Sequence, residues 1–162
     1  MRKMPLKIGD KRKRAVVDTV RSILDHKGYD ILSVPPSATV YEAIAEMARC
    51  GVGALLVLSG RELVGIVSER DYARKVILQG RSSRETLIQE IMTPSPITVN
   101  LSHTVDVCMR IVTGKHIRHL PVVDGGELKG MVSIGDLVKT IISSQSYTIA
   151  QLHTYITSDY PS

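Results

Sequence analysis

The stretch Gly65-Ile66-Val67-Ser68-Glu69-Arg70-Asp71 returns as Gly130-Met131-Val132-Ser133-Ile134-Gly135-Asp136, 65 residues further on (136 − 71 = 65). Set against each other at that offset without a gap, residues 30–77 and 95–142 agree at 14 of 48 positions. Nine of the identities fall within the 17 positions from 55 to 71. An internal repeat decides architecture ahead of any local pattern, and a site carried by one unit recurs in some form in the other.

The whole chain has 162 residues, enough for one ordinary domain or two small units sharing a core. Units of about fifty residues lie near the lower limit for folding alone, so pairing is expected. With no Trp and no Phe, the core must be built from Val, Ile, Leu, Met and Ala. The longest apolar runs, such as Val52 to Leu58, are too short to span a bilayer, and no membrane contact is expected. Met1 to Arg14 is basic and has no apolar stretch of the secretory kind. Cys50 and Cys108 lack Cys or His partners at ligand spacing, which fits a reducing, cytoplasmic setting. Residues 1–30 hold nine Lys/Arg against four Asp/Glu, and the other 132 hold twelve of each. The net +5 is therefore a property of the N-terminal arm.

Apolar spacing predicts a helix over Arg14 to Lys27, stopped by Gly28. A strand at Ile31 to Val34 follows, then a helix opened by Thr39 with Glu42 completing a capping box. Strands at Val52–Leu58 and Glu62–Val67 flank the turn Ser59-Gly60-Arg61, and Ser68 opens a helix running toward Gly80. The second unit repeats this order: a strand at Ile97–Val99, a helix from Thr104, strands at Ile117–Val123 and Glu127–Val132, and a helix from Ser133. Arg84 to Met92 reads as a short helix inside the connector. The expected fold is α/β (α+β): two tandem β-α-β-β-α units packed as a pseudo-two-fold pair, preceded by a helix. The boundaries are 1–29 for the basic arm and helix, 30–80 and 95–146 for the units, 81–94 for the connector and 147–162 for the tail.

The repeated Gly-x-x-Ser-x-x-Asp ending resembles the cystathionine-β-synthase (CBS) domain, which occurs in tandem pairs as a Bateman module. Supporting residues are Thr39-Val40 and Thr104-Val105, the Leu55-x-Val57 and Leu120-x-Val122 strands, the Gly-x-Glu-Leu hairpins and Met92-Thr93-Pro94. The likeness covers roughly residues 15–145. It implies a regulatory sensor for an adenine nucleotide: AMP in first place, with ADP, ATP, NAD(H) or S-adenosylmethionine as alternatives. It also implies a homodimer, and an effector that would be a separate protein. No domain other than the pair is evident in the sequence.

Independently of the resemblance, a strand running into a Ser at a helix start offers free N–H groups and a hydroxyl to a phosphate. An Asp one turn on can accept from ribose hydroxyls. The plainer reading of Ser-x-x-Asp is a capping box. Arg118 and His119 stand where the first unit has Gly53 and Ala54, so no shared structural demand explains them, and an Arg can clamp phosphate bidentately. The expected site in the second unit comprises Ile97, Thr98, Val99, Arg118, His119, Leu120, Pro121, Ser133 and Asp136, with Arg70 reaching across and Lys75 a weaker candidate. The set in the first unit comprises Leu32, Val34, Gly53, Ala54, Leu55, Ser68 and Asp71. The second is expected to be the tighter mononucleotide site.

Two other classes compete. Lys11-Arg12-Lys13-Arg14 could neutralise nucleic-acid phosphates, although no aromatic residues interleave it for stacking. An organellar transit role for the arm is opposed by Asp10, Asp18 and few serines. Catalysis is not expected, because no nucleophile–base pair, metal set or glycine-rich phosphate loop stands out in the sequence.

Overall fold

In the computed structural model residues 18–144 are described. The Lys11–Arg14 cluster and the tail 147–162 lie outside them. Helix α1 (Val20–Lys27) starts at a Thr19 cap, and residues 14–17 of the expected helix lie outside the described residues. Thr19 is extended (φ −120°, ψ 167°) and caps the helix, its hydroxyl accepting from the Ser22 amide while Ser22 returns the bond. Strand β1 shrinks to Ser33–Val34. Helix α2 (Val40–Cys50) starts at the Thr39/Glu42 capping box and ends at Gly51, whose φ of 67° is the left-handed turn that glycine tolerates.

Strands β2 (Ala54–Ser59) and β3 (Glu62–Ser68) form the first hairpin. Helix α3 (Glu69–Tyr72) follows, but it passes into a π-turn at Ala73–Ile77 rather than running on as one α-helix. In the connector only α4 (Ile88–Ile91) is helical, and Thr93–Pro94 adds a strand, β4, that the sequence did not suggest. Helix α5 (Val105–Lys115), strands β5 (His119–Asp124) and β6 (Glu127–Ser133), and helix α6 (Ile134–Ser143) complete the second unit. The strand expected at Ile97–Val99 reduces to a single parallel bridge from Val99 to Val122.

The repeat holds at the level of register. Ala54 faces Ser68 as His119 faces Ser133, and the irregularity between Val57 and Leu58 recurs between Val122 and Val123. The sheets run β1-β2-β3-β4 and β5-β6. Two apolar cores result, one around Val40, Met47, Leu55 and Val67, the other around Val105, Met109, Leu120 and Val132. Cys108 is buried in the second, as a small core residue should be.

The flanking helices cross over. Val20, Ile23 and Leu24 of α1 precede the first unit yet complete the core of the second. Ile88 and Ile91 of α4 precede the second unit yet complete the core of the first. The backbone seams match: Val20 N donates to His103 O (2.9 Å) and Ile88 N to Ala38 O (2.8 Å). Val105 N donates to Asp18 O (3.0 Å) and Val40 N to Thr86 O (2.8 Å). Here the offset is 68 (88 − 20), which is why a gapless comparison at 65 does not reveal it. Gly65 is required at this seam: a Cβ there would meet Met92 Sδ at 2.6 Å and the Thr93 carbonyl at 3.0 Å. Among the described residues no helix is long and apolar enough to cross a membrane.

Candidate functional site

At the end of β3 the chain turns into α3, and Ser68 caps that turn. Its hydroxyl accepts from the Asp71 amide (3.3 Å), while Asp71 Oδ2 accepts from the Ser68 amide (2.9 Å) and hydroxyl (3.1 Å). Ser133 and Asp136 repeat the capping exchange at 3.1 and 2.9 Å. The capping reading of Ser-x-x-Asp thus holds in both units. The next amide anchors each turn to the neighbouring strand approach: Glu69 N donates to Gly53 O (3.0 Å) and Ile134 N to Arg118 O (2.8 Å).

Beside Ser68 opens a cleft of about 480 Å³ between the units, within the usual range for small-molecule sites. One wall brings Gly53, Ile66, Ser68 and Asp71 from the first unit, with Glu69, Arg70 and Arg74. The other brings Thr93, Ser95, Pro96 and Ile97 from the linker and His116, Ile117, Arg118 and His119 from the approach to β5. Arg70, Arg74 and Arg118 have no ion-pair partner among the described residues, whereas Asp71 is paired with Lys75 (3.0 Å). Burial and the nearby Lys27 and Arg118 cations hold His119 below the usual imidazole range, against the opposing pull of Asp136. It is therefore a neutral imidazole at physiological pH, able to donate through one nitrogen and accept through the other. The only described residues other than glycine with positive φ, Ser95 (47°) and His116 (54°), both line this cleft.

The structure regroups the residues singled out in the sequence. Ile97, Arg118, His119 and Arg70 share the cleft with Gly53, Ser68 and Asp71, although the sequence assigned the two groups to different sites. Ser133 and Asp136 lie apart from it, and Asp136 is held by the Lys27 ammonium at 2.8 Å. Burial would raise the Asp136 carboxyl, but the hydrogen bonds from Lys27 and Ser133 bring it below the usual carboxylate value. The side chains of Val34, Leu55, Val99 and Leu120 belong to the two cores, and Ala54 and Pro121 are buried. Their side chains serve packing and are not on the cleft wall. Leu32 packs against the first core, and Thr98 is exposed outside the cleft. Lys75 does not reach the cleft: its ammonium caps Ile91 O at 2.8 Å as well as Asp71. Sequence reasoning missed Arg74 and His116. The signal for His116 was available, since it aligns with Gly51, a helix stop in the first unit.

The CBS-domain family model matches residues 20–77 and 88–143, more than half of the chain, each match opening on a flanking helix. The chain belongs to the CBS-domain family. CBS domains are generally regulatory modules that bind adenine nucleotides. The mitochondrial CBS domain-containing protein CBSX3 of Arabidopsis thaliana is 42% identical over 127 residues, which cover 75% of this chain and 62% of that protein. The chain spans about three fifths of the curated relatives first matched, 62% and 57% of two of them. A solved CBS-domain protein from Burkholderia ambifaria superposes with a TM-score of 0.76 at 51% identity, covering 81% of this chain and 98% of that one. A hexameric CBS-CP12 protein from bloom-forming cyanobacteria superposes at 0.69 with 28% identity, over 76% of this chain and 67% of the other. Among the described residues there is no cluster of His, Cys, Asp and Glu that could hold a metal ion.

Proposed function

We propose that the chain is a sensor that binds an adenine nucleotide in the cleft between its CBS units and passes the change to a separate effector protein. The observation that carries this reading is the convergence of Arg70, Arg74 and Arg118, without ion-pair partners among the described residues, on a cleft that also holds Ser68 and Asp71. Guanidiniums suit phosphate oxygens, and a carboxylate suits ribose hydroxyls. Three guanidiniums against the carboxylates of Glu69 and of the Lys75-paired Asp71 leave the cleft a positive excess that an anionic ligand would meet. AMP is the first ligand to test, with ADP, ATP and NAD(H) after it.

The test is thermal unfolding against AMP, ADP, ATP, NAD(H) and GMP. A ligand at one hundred times its dissociation constant stabilises by about 2.7 kcal/mol, a rise of several degrees for a chain of this size. Arg118→Ala is expected to weaken the responding adenylate by roughly ten- to a hundredfold, the range of a lost hydrogen bond to a charged group. A response to GMP equal to that for AMP, or unchanged affinity in Arg118→Ala, would remove this reading.

A homodimer belongs to the same proposal. The helix faces Val40–Met47 and Val105–Val112 are largely buried inside the chain and leave little apolar surface for a partner. Among the described residues the exposed large apolar side chains are Tyr29, Ile31, Tyr41, Ile77, Leu78, Ile97, Val107 and Ile142, of which Ile77 and Ile142 are mates at the repeat offset. A cytoplasmic setting is part of the reading, and the relative named mitochondrial makes import the competing address for the basic arm.

A further inference from the structure

Where β3 and β6 run into their helices, the two units make the same turn with unlike side chains. Glu69 N donates to Gly53 O, and at the repeat offset Ile134 N donates to Arg118 O. In the second unit the turn carries an apolar side chain, Ile134, packed against the core. In the first it carries a carboxylate, exposed and on the cleft wall. The turn itself requires neither the acid nor the glycine, since Ile134 and Arg118 make it as well. The Glu69 side chain lies over Gly53, where an added Cβ would stand 3.7 Å from Glu69 Oε2. Among the described residues its carboxylate has neither a hydrogen bond nor an ion pair. Asp71 differs. Its Oδ2 accepts from the Ser68 amide (2.9 Å) and hydroxyl (3.1 Å), and its Oδ1 stands 3.0 Å from the Lys75 ammonium. A carboxylate has about four lone-pair positions, of which these contacts leave Asp71 a single one and Glu69 all.

We propose that Glu69, and not Asp71, receives the 2′- and 3′-hydroxyls of the bound nucleotide, so that the cleft selects ribonucleotides over their 2′-deoxy counterparts. A carboxylate beside Arg70, Arg74 and Arg118 weakens their hold on a phosphate. Its place in the cleft is explained by a part of the ligand that donates hydrogen bonds and carries no charge. The ribose diol offers one donor to each carboxylate oxygen. The 6-amino group of adenine also donates, but its neighbouring ring nitrogens only accept and would face the second oxygen. Asp71 keeps the capping duty that fixes the turn. Glu69 also stands in the first turn of α3, where an acid favours the helix dipole, but that duty alone gives no preference between sugars. This inference rests on the nucleotide reading of the cleft.

Calorimetric titration of AMP and 2′-deoxy-AMP into the wild type, Glu69→Gln and Asp71→Asn tests it. Glutamine keeps the size of the side chain but loses the charge and the second acceptor. The wild type is expected to bind AMP roughly ten- to a hundredfold more tightly than 2′-deoxy-AMP, the range of a lost hydrogen bond to a charged group. In Glu69→Gln the two affinities should draw together, chiefly by loss of AMP binding. Asp71→Asn, with its fold checked by circular dichroism, should keep the wild-type ratio. An unchanged ratio in Glu69→Gln, an equal loss of both nucleotides there, or no sugar preference in the wild type would overturn the proposal while leaving the nucleotide reading standing. Loss of the preference in Asp71→Asn alone would return the ribose to Asp71. No AMP binding by the wild type would overturn the nucleotide reading and this inference with it.

Discussion

His116 closes α5 at φ 54°, ψ 39°, the conformation that Gly51 adopts at the end of α2. For a residue with a Cβ this region costs roughly 1–2 kcal/mol. The cost is borne beside the cleft, where strained residues tend to serve a ligand. His116→Gly is therefore expected to raise the urea midpoint, by about 1 kcal/mol in stability, while weakening nucleotide binding. A lowered midpoint would mean that the imidazole has a structural role. Pairing His116 with Gly51 could have been read from the sequence, because the offset is constant. Arg74 could not: its mate is Lys139, an ordinary surface cation, and only the packing of the units turns Arg74 toward the cleft.

At the level of elements, the exchange of α1 and α4 decides what counts as a unit. The stretch 30–80 has its strands and its α2 helix but lacks Ile88 and Ile91, both almost wholly buried in its core. A peptide of residues 30–80 is expected to remain largely unfolded by circular dichroism. Extending it to 30–94 should restore a measurable part of the structure, since burying two Ile side chains contributes about 3–6 kcal/mol. Equal folding of the two peptides would show that α4 adds nothing to the first core. The capped helices α2, α5 and α6 were legible in advance because Thr39, Thr104 and Ser133 act within one turn of themselves. Strand ends moved by at most two residues, since pairing partners rather than local propensity set them. The π-turn after Tyr72 has no sequence signal that we can name.

For the whole molecule, stability should fall on acidification. His119 is held below its ordinary value in the fold and takes a proton near about 6.5 when unfolded. Between those values the unfolded chain binds more protons, so stability drops as pH falls through about 6.5 and levels off below the folded value. Asp136, also depressed, adds a second loss as pH falls from its ordinary value of 3.8 through its folded one. Urea unfolding at pH 8, 6.5 and 5 is expected to give a midpoint that declines with acid in the wild type and is flatter in His119→Gln. An equal decline in both would move the effect to other groups.

Sequence alone determined the repeat, the family, the caps and the hairpin turns, because each rests on spacings within one unit or on a constant offset between two. It also singled out Arg118 and His119, by asking what the repeat did not require. Which Ser and Asp those cations face was decided only by the tertiary structure. Packing brings the approach to β5 against the start of α3, and the crossed helix α1 carries Lys27 onto Asp136. Contacts between segments some 50 or 109 residues apart depend on how two cores are closed, and no local periodicity encodes that.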